Sequence, residues 1–514
     1  MLSIQISEAL LSEAFGLSEF RIGQKEIISA VLSKKDAMAV LPTGGGKSLC
    51  YQYPAVFLKQ LVIVVSPLIA LMKDQVAGLT AHGIPAGCLH SGQSDSDKRQ
   101  VFAKMNRGGT FVLYLSPERV QKEGFQSWIK SREIALFAID ESHCVSQWGH
   151  DFREEYAELK ILKSLRPDIP ILALTASATP TVLSDISKNL NLVQPQRMVH
   201  GFYRPNLYYQ VESCSDNETK NRWLVQGIEQ TPTGRILIYC GTRKDTEEIS
   251  EFLKQKFAQV GFYHAGLPSA ERTAVQEDFA RGGLRILVAT NAFGMGIDQP
   301  DVRLVMHYQM PANIDSLYQE MGRAGRDGKP STCLLLYSKK DKGLQAYFIQ
   351  SSSAAKAIKD LRWRNLEALV SYSEAKECRH SEILAYYKDS KRLVKCGHCD
   401  VCDETSVRRI APPALAAAPV TQRILLKKSK ARGRETGAQL TQEEDMRFQA
   451  LRKWRKAKAT ELDAPAFVIF GDQTLRELAI KNPQTLQDFE GIYGIGEAKL
   501  EKFGWEVLAE LKLV

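Results

Sequence analysis

The stretch of sequence that decides the fold is AMAVLPTGGGKSLCYQY, residues 37–53. Its first apolar residues predict a short buried strand, a glycine-rich turn follows at once, and the residues after Ser48 have a helical pattern. This strand–turn–helix order is typical of a phosphate-binding loop, in which small residues let backbone N–H groups converge on phosphate oxygens. Leu41 stands where the strict G-x-x-x-x-G-K-[ST] pattern has its first glycine. The alternative interpretation is an ordinary glycine-rich turn.

The loop supplies candidate nucleotide ligands. Lys47 would place a positive charge near the β- and γ-phosphates, and the Ser48 hydroxyl can ligate Mg²⁺. We therefore expect ATP to be bound by the residues of this loop, namely Thr43, Gly44, Gly45, Gly46, Lys47 and Ser48.

A second motif, AIDESH at residues 138–143, ends another apolar run. Acidic side chains at the carboxyl end of a buried strand are costly unless they hold a metal ion or a water molecule. Asp140 is the candidate Mg²⁺ ligand together with Ser48, and Glu141 is the candidate that polarises the attacking water. Lys47, Asp140 and Glu141 are thus predicted to be catalytic.

Short apolar runs alternate with helical patterns up to about residue 340, which predicts an α/β fold with two parallel sheets covered on both faces. The first set of predicted strands is Ala37–Leu41, Leu61–Val65, Phe111–Leu115, Ala135–Ile139 and Ile171–Leu174. The second set is Arg235–Tyr239, Arg285–Ala289, Leu304–His307 and Cys333–Tyr337. We place the boundary between the two domains near residues 200–215.

Composition narrows the class of protein. The 514 residues are 44% apolar and 25% charged, which excludes a wholly disordered, collagenous or fibrous chain. No run reaches the roughly 18 apolar residues that a membrane span needs. The N-terminus carries Glu8 and Glu13 without a basic residue, which argues against a signal peptide. Most of the net charge of +9 lies in residues 407–435, which hold eight basic residues and one acid.

Four of the ten cysteines predict a metal centre. Cys378, Cys396, Cys399 and Cys402 have the spacing C-x17-C-x2-C-x2-C. Four thiolates complete a closed tetrahedral Zn²⁺ site, which is structural because no coordination position stays open. A redox role for the C-x-x-C pairs is the alternative, although no thioredoxin-like context precedes them. The six other cysteines are expected to be buried.

Further motifs follow in a fixed order. They are FGLSEFRIGQKEII at 15–28, CVSQWGHDFR at 144–153, TASAT at 175–179 and QEMGRAGRDG at 319–328. Together with the phosphate loop, DESH and the cysteines, this order resembles that of superfamily 2 helicases and, within them, the RecQ family of DNA helicases. The resemblance covers almost the whole chain apart from the basic segment.

The resemblance implies several residue roles. Gln24 would read the adenine edge and Arg21 would pack on its face. Trp148 and Phe152 would stack on single-stranded bases, and Arg153 would contact phosphate or base edges. Arg326 would be an arginine finger with Arg323 as its neighbour, and both join the candidate catalytic residues. Residues 442–514 are similar to the HRDC domain, a small helical bundle.

One departure from the family is internal. Bacterial RecQ proteins usually have a winged-helix domain between the zinc module and the HRDC domain, and residues 405–441 are too few to form one. The predicted organisation is a first RecA-like domain at 1–205, a second at 206–340, a zinc-binding module at 341–404, a basic Ala/Pro linker at 405–441 and an HRDC-like domain at 442–514.

The predicted function is that of an ATP-dependent DNA helicase that moves 3′ to 5′ on single-stranded DNA and unwinds duplex DNA in recombination and repair. ATP, Mg²⁺ and Zn²⁺ are the expected cofactors. The expected partners are single-stranded and branched DNA and single-strand-binding or other repair proteins, with a monomeric chain in the cytoplasm near the nucleoid and no membrane contact. The alternatives are an RNA helicase and an ATP-gated protein that binds or anneals DNA structures.

Overall fold

The structure is a computed structural model that describes residues 6–42, 44–149, 151–294, 299–389, 391–413, 441–461, 469–489, 492, 495 and 497–512. Thr43 and most of the predicted linker, residues 414–440, lie outside the described residues. The chain divides into two compact units, residues 1–338 with 355–413 and residues 339–354 with 414–514.

The first sheet has seven parallel strands in the order β3-β4-β2-β5-β6-β1-β7. The strands are β1 Ala37–Val40, β2 Leu61–Val65, β3 Ala86–Leu89, β4 Phe111–Leu115, β5 Ile134–Ile139, β6 Ile171–Thr175 and β7 Gln196–Val199. Their helices are α1 Glu8–Phe15, α2 Gln24–Leu32, α3 Leu49–Leu58, α4 Ile69–Ala81, α5 Asp95–Met105, α6 Pro117–Val120, α7 Glu123–Lys130, α8 Glu154–Ala157, α9 Lys160–Leu165 and α10 Pro180–Asn189, and a 3₁₀ turn spans Ser142–Val145.

The second sheet has six parallel strands in the order β10-β11-β9-β12-β13-β8. The strands are β8 Leu207–Ser213, β9 Arg235–Tyr239, β10 Val260–Tyr263, β11 Ile286–Ala289, β12 Val302–His307 and β13 Ser331–Tyr337. The helices beside them are α11 Asn217–Glu229, α12 Arg243–Lys254, α13 Ser269–Arg281 and α14 Ile314–Met321.

The central strands are apolar throughout because helices cover both faces of each sheet. All residues of β2 and β4 are buried, and so are all residues of β11 and β13. The predicted α/β fold with two parallel sheets is confirmed. Each of the nine predicted strands is present, with its bounds within two residues of the prediction.

The order of the strands positions the site. Strand β6 lies between β1 and β5, and the phosphate loop, DESH and TASAT follow β1, β5 and β6 respectively. Since parallel strands end at the same edge of a sheet, three motifs distant in sequence meet at one crevice, where α/β proteins bind their ligands.

Two helices near the cysteines belong to the first unit, α16 Lys356–Glu374 and α17 Arg379–Tyr386, and α15 Lys339–Ser351 belongs to the second. The second unit also contains α18 Gln442–Glu461, α19 Asp472–Lys481, a 3₁₀ turn at Leu486–Phe489 and α20 Glu497–Leu511. None of the helices in the described parts of the chain has the length and apolar character to cross a membrane.

The three long C-terminal helices enclose a small core of their own. Leu451, Leu475 and Val507 are fully buried in it, and Trp454 packs against its edge. Arg455 is buried and donates from Nη1 to the Phe470 carbonyl at 2.8 Å. One face of α18 therefore packs into this core. The helical character predicted for this region is confirmed.

Candidate active site and metal centre

The phosphate loop has a backbone that suits glycine. Gly44 and Gly46 have φ values of +77° and +74°, in the left-handed region. A Cβ atom on Gly45 would lie 2.8 Å from the Pro42 carbonyl oxygen, which is too close for any side chain. Helix α3 begins directly after Ser48. The sequence thus forms a tight turn at a helix N-terminus, which is the geometry that binds phosphate.

Arg21 and Gln24 contact this loop. The Gln24 amide donates to the Gly46 carbonyl at 2.9 Å, and its Oε1 accepts from the backbone N–H of Arg21 at 2.7 Å. The Arg21 guanidinium donates to the Gly44 carbonyl. Arg21 and Gln24 therefore lie against the loop, each more than 20 positions before its partner in it, and their contact with adenine stays a prediction.

Asp140 and Glu141 lie at the carboxyl end of β5. Burial, reinforced by the neighbouring Glu141 carboxylate and opposed by Lys47, raises the pKa of Asp140 to about 7. Glu141 has a φ of +47°, a left-handed conformation that costs a non-glycine residue free energy and is typical of functional sites. The two acids are thus held close together at a cost in free energy.

A chain of polar contacts leads away from Glu141. The Nδ1 atom of His143 lies 3.4 Å from Glu141 Oε2 and 2.9 Å from the Thr175 hydroxyl, which donates to the Ser177 carbonyl at 3.1 Å. The Gln319 amide donates to the Ser177 hydroxyl at 3.0 Å. Since Gln319 is on α14 of the second sheet domain, the chain joins the two domains.

Arg323 and Arg326 follow α14. Arg323 is buried and donates to the Gly294 carbonyl. Both arginines line a cavity of about 450 Å³ whose other walls include Lys47, Asp140 and Glu141. The structure brings all five candidate catalytic residues around one cavity, together with Gly44, Gly46, Ser48 and Arg21 of the candidate ATP-binding set.

The loop after DESH presents Trp148 to solvent, with 38% of its surface exposed. Trp148 is therefore not part of the hydrophobic core, whereas Phe152 is half-buried. Arg153 pairs with Asp151 at 3.0 Å. A Cβ atom on Gly149 would lie 2.5 Å from the His143 carbonyl oxygen, so the loop folds back tightly on the motif before it.

Trp148 borders a second cavity, of about 340 Å³. Thr179 of the TASAT motif lines the same cavity, as do Arg364 of α16 and Lys388 just after α17. An exposed indole beside two cations is an arrangement that suits a single strand, because bases stack on aromatic rings and cations pair with phosphates.

The four predicted zinc ligands lie together. The Sγ atoms of Cys378, Cys396, Cys399 and Cys402 are all within 4.8 Å of one another. A tetrahedral site with Zn–S bonds of about 2.3 Å places sulfur atoms roughly 3.8 Å apart, so these residues fit the ion. The thiols are close enough to hydrogen-bond one another, as Cys378 does with Cys396 and Cys399.

Two histidines beside the cysteine cluster, His380 and His398, have other contacts. Both rings lie 3.2 Å from the Leu207 carbonyl, and the Nε2 atom of His398 is 2.9 Å from the Tyr203 hydroxyl. Burial lowers the pKa of His380 to about 3, so its ring is neutral. The six remaining cysteines are buried, as predicted, and burial raises the pKa of Cys50 and Cys333 to about 12.

The zinc module is attached to β8 and α14. Asp400 accepts from Arg379 Nε at 2.9 Å and from the Val211 N–H at 2.9 Å. The Tyr386 and Tyr387 hydroxyls donate to Asp315 at 2.7 and 3.0 Å. These contacts connect the cysteine cluster to the second sheet domain and to the helix that precedes the arginines.

No pattern in the sequence marks Gln319 as a link between the domains, although it lies in the motif QEMGRAGRDG at 319–328. Its partner Ser177 is on the other domain, so no local pattern could have revealed the contact. Thr43 lies outside the described residues, and the structure therefore gives it no position.

Comparison with known protein families identifies the two sheet domains. Residues 21–186 match the DEAD/DEAH box helicase family and residues 219–328 match the helicase conserved C-terminal domain. The fold agrees with that of yeast (S. cerevisiae) Dbp5 bound to RNA and ADP BeF3, with a TM-score of 0.52, 16% identity and coverage of 71% of this chain and 98% of that one. The fold and these matches define a helicase that hydrolyses ATP.

The remaining matches identify the family. Residues 339–403 match the RecQ zinc-binding family and residues 444–511 match the HRDC domain. The chain is 34% identical to the ATP-dependent DNA helicase RecQ of Bacillus subtilis over 98% of both chains, and 41% identical to that of Haemophilus influenzae over 77% of this chain and 63% of the relative. The chain belongs to the RecQ family of ATP-dependent DNA helicases, and ATP and Zn²⁺ are its ligands.

The alignment with the Bacillus subtilis relative runs over 586 positions, more than the 514 residues of this chain. Part of the relative therefore has no counterpart here. The zinc-binding match ends at residue 403 and the HRDC match begins at residue 444, which fits a RecQ helicase without a winged-helix domain.

Proposed function

We propose that this helicase hydrolyses ATP in the cavity between its two sheet domains. Lys47 neutralises the β- and γ-phosphates, Ser48 and Asp140 hold Mg²⁺, and Glu141 orients the attacking water. Arg326, with Arg323 beside it, stabilises the charge that develops on the γ-phosphate. The observation that carries this proposal is that residues from both domains line one cavity.

Recognition of the base is assigned to Arg21 and Gln24. Both side chains are hydrogen-bonded to carbonyls of the phosphate loop, those of Gly44 and Gly46. The residues that bind adenine are therefore in direct contact with those that bind the phosphates. Thr43 completes the predicted loop.

The DNA strand is assigned to the face that carries Trp148. Trp148 and Phe152 stack on bases and Arg153 contacts phosphate. The polar chain from Glu141 through His143, Thr175 and Ser177 to Gln319 links the ATP cavity to domain movement. Each cycle then advances the enzyme along one strand, in the 3′ to 5′ direction that the family favours, and unwinds duplex DNA in recombination and repair.

The predicted domain bounds, 1–205, 206–340, 341–404, 405–441 and 442–514, are retained in this proposal. The basic residues of the linker are assigned a non-specific contact to duplex phosphates, which weakens with salt because counterions are released on binding. We further infer a monomer that acts in the cytoplasm at the nucleoid, on branched DNA and with single-strand-binding or repair proteins.

The test is steady-state ATP hydrolysis without nucleic acid and with single-stranded DNA, duplex DNA or RNA, using Lys47→Ala as the control for contaminating activity. We expect strong stimulation by single-stranded DNA that the variant loses, followed by unwinding of a forked duplex. Greater stimulation by RNA would identify an RNA helicase. Absence of stimulation by any strand would contradict the motor and leave an ATP-gated binding protein.

A further inference from the structure

The connector between the two sheets contacts the loop that carries the arginines. This connector, residues 200–206, runs from the end of β7 to the start of β8. The Asn206 amide donates to the Gly325 carbonyl at 2.8 Å and to the Lys329 carbonyl at 3.1 Å. The Nη2 atom of Arg204 donates to the carbonyls of Ala324 and Gly325 at 3.2 and 3.3 Å. Two connector side chains thus hold the backbone directly before Arg326.

The fit between connector and loop is close. Gly325 has a φ of +55°, and a Cβ atom at this position would lie 2.5 Å from Asn206 Nδ2 and 2.7 Å from the Lys329 carbonyl oxygen. The Gly325 N–H donates to the Val302 carbonyl at 2.9 Å. Gly325 is therefore held by β12 on one side and by the connector on the other, and its conformation sets the direction in which Arg326 leaves the loop.

The connector also meets the phosphate loop. A cavity of about 300 Å³ is lined by Arg204 and Asn206, by Gly44 and Gly45, and by Arg326. A Cβ atom on Gly44 would lie 3.4 Å from the Cγ atom of Arg326. The connector, the phosphate loop and the arginine loop therefore converge beside the ATP cavity, where a small displacement of one changes the position of the others.

We propose that Arg204 and Asn206 are positioning residues for Arg326. They fix the two carbonyls before it, and because they lie on the only segment that joins the two sheets in the described chain, they tie the placement of the guanidinium to the relative orientation of the domains. Displacement of a catalytic group by about 1 Å can cost roughly 100-fold in rate, so even a small shift matters. This inference rests on the proposed function, which assigns the transition-state charge to Arg326.

The test uses the full chain and measures kcat and KM for ATP with saturating single-stranded DNA. Asn206→Asp removes the donor at nearly constant size, Asn206→Ala removes it without adding charge, and Arg204→Lys keeps the charge but loses the fork of the guanidinium. We expect each to lower kcat about tenfold while KM for ATP changes by less than about twofold, since the lost contact acts in the transition state.

Arg235→Lys is the matched control. The Arg235 guanidinium also donates to backbone carbonyls, those of Phe279 and Ala280 at 2.8 Å each, and it pairs with Asp301, but it does not line the ATP cavity. This variant shows whether losing arginine–carbonyl hydrogen bonds lowers kcat simply because the fold is destabilised. We expect a lower unfolding temperature for it with kcat unchanged, whereas a tenfold loss of kcat here would overturn the special role of the connector.

A double-mutant cycle separates positioning from general destabilisation. If Asn206 acts through Arg326, Asn206→Asp lowers kcat by less than about twofold in an Arg326→Ala background, because the residue that it positions is absent. An equal loss in both backgrounds, or unchanged kcat in all three connector variants, overturns the proposal. If Arg326→Ala itself keeps the kcat of the wild type, the proposed function fails first, and the two failures are thus distinguished.

Discussion

The ATP cavity and the zinc centre hold their charged groups in opposite ways. The cavity gathers acids and arginines from loops of both sheet domains, with the pKa of Asp140 raised to about 7 and Glu141 in a left-handed conformation. The zinc centre takes its four sulfur atoms from residues 378–402, and Asp400 within this segment is paired with Arg379 at 2.9 Å. In the cavity two acidic side chains are held close together at a cost in free energy. In the zinc module the carboxylate of Asp400 is instead neutralised by Arg379 of the same segment. Changes in the cavity should therefore lower the rate without destabilising the fold, whereas changes in the zinc centre should lower stability.

The largest expected effect is loss of the zinc centre. Cys399→Ser should abolish stoichiometric zinc and unfold the module, because structural zinc supplies about 10–16 kcal/mol of apparent binding free energy in small domains. Metal analysis and thermal unfolding measure both. Cys333→Ser, a buried cysteine of β13 outside the cluster, is the control and should keep its zinc. Zinc retained at one equivalent by Cys399→Ser would remove this residue from the ligand set.

The next largest effect is expected in the ATP cavity. Arg326→Ala should lower kcat about 10³–10⁵-fold while the unfolding temperature stays near that of the wild type, since arginine fingers act on the transition state. Steady-state kinetics and calorimetry measure the two quantities. Arg281→Ala, at a side chain that is 71% exposed on α13, is the control. A variant that unfolds early but hydrolyses ATP normally would reverse the contrast between cavity and zinc centre.

A third prediction concerns the pH dependence of stability. The folded protein holds the Asp140 proton more tightly than the unfolded chain, so this carboxyl lowers stability progressively as the pH rises from about 4 to 7. Asp140→Asn should therefore raise the free energy of unfolding by about 2–4 kcal/mol at pH 8, and by less at pH 6, while it abolishes ATP hydrolysis. Denaturant unfolding without divalent cations measures the difference.

Asp168 serves as the control for this prediction, because its pKa is shifted in the opposite direction. The hydrogen bond from Arg166 lowers the pKa of Asp168, so this exposed carboxylate stabilises the fold above its unfolded pKa and loses that contribution in acid. Asp168→Asn should leave stability unchanged or slightly reduced at pH 8. A stability of Asp140→Asn at or below that of the wild type at pH 8 would contradict the burial cost assigned to Asp140.

The smallest effect tests the link between the cavity and DNA. Trp148→Ala should lower the ratio of DNA-stimulated to basal ATP hydrolysis about tenfold, because stacking on one aromatic ring contributes about 1–3 kcal/mol per base. Titration with single-stranded DNA measures the ratio. Trp505→Ala removes an indole that is 71% exposed on the C-terminal helix and serves as the matched control. Equal ratios in the two variants would exclude Trp148 from the coupling path.

A comparison of the strands shows which of them can be predicted from the local sequence pattern. The nine predicted strands are the interior strands of the two sheets, and the four that the sequence analysis missed are the edges, β3 and β7 of the first sheet and β8 and β10 of the second. Interior strands are buried on both faces and flanked on both sides, so they consist of continuous apolar runs. The edge strands contain glycine or polar residues, as in VGFY at 260–263 and QRMV at 196–199, and such segments lack that signal.

The sequence by itself determined the phosphate loop, the acidic pair and the four cysteines, because glycine φ angles, carboxylates at strand ends and thiolate spacing are local requirements. Only the tertiary structure decided which distant residues meet, such as Gln319 with Ser177 across the two domains and Asn206 of the connector with Gly325. Those contacts join positions more than 100 residues apart, and their hydrogen bonds form only when strand order and the connector bring the two sheet edges together. Local chemistry is therefore readable from the chain, whereas the coupling between sites depends on the assembled fold.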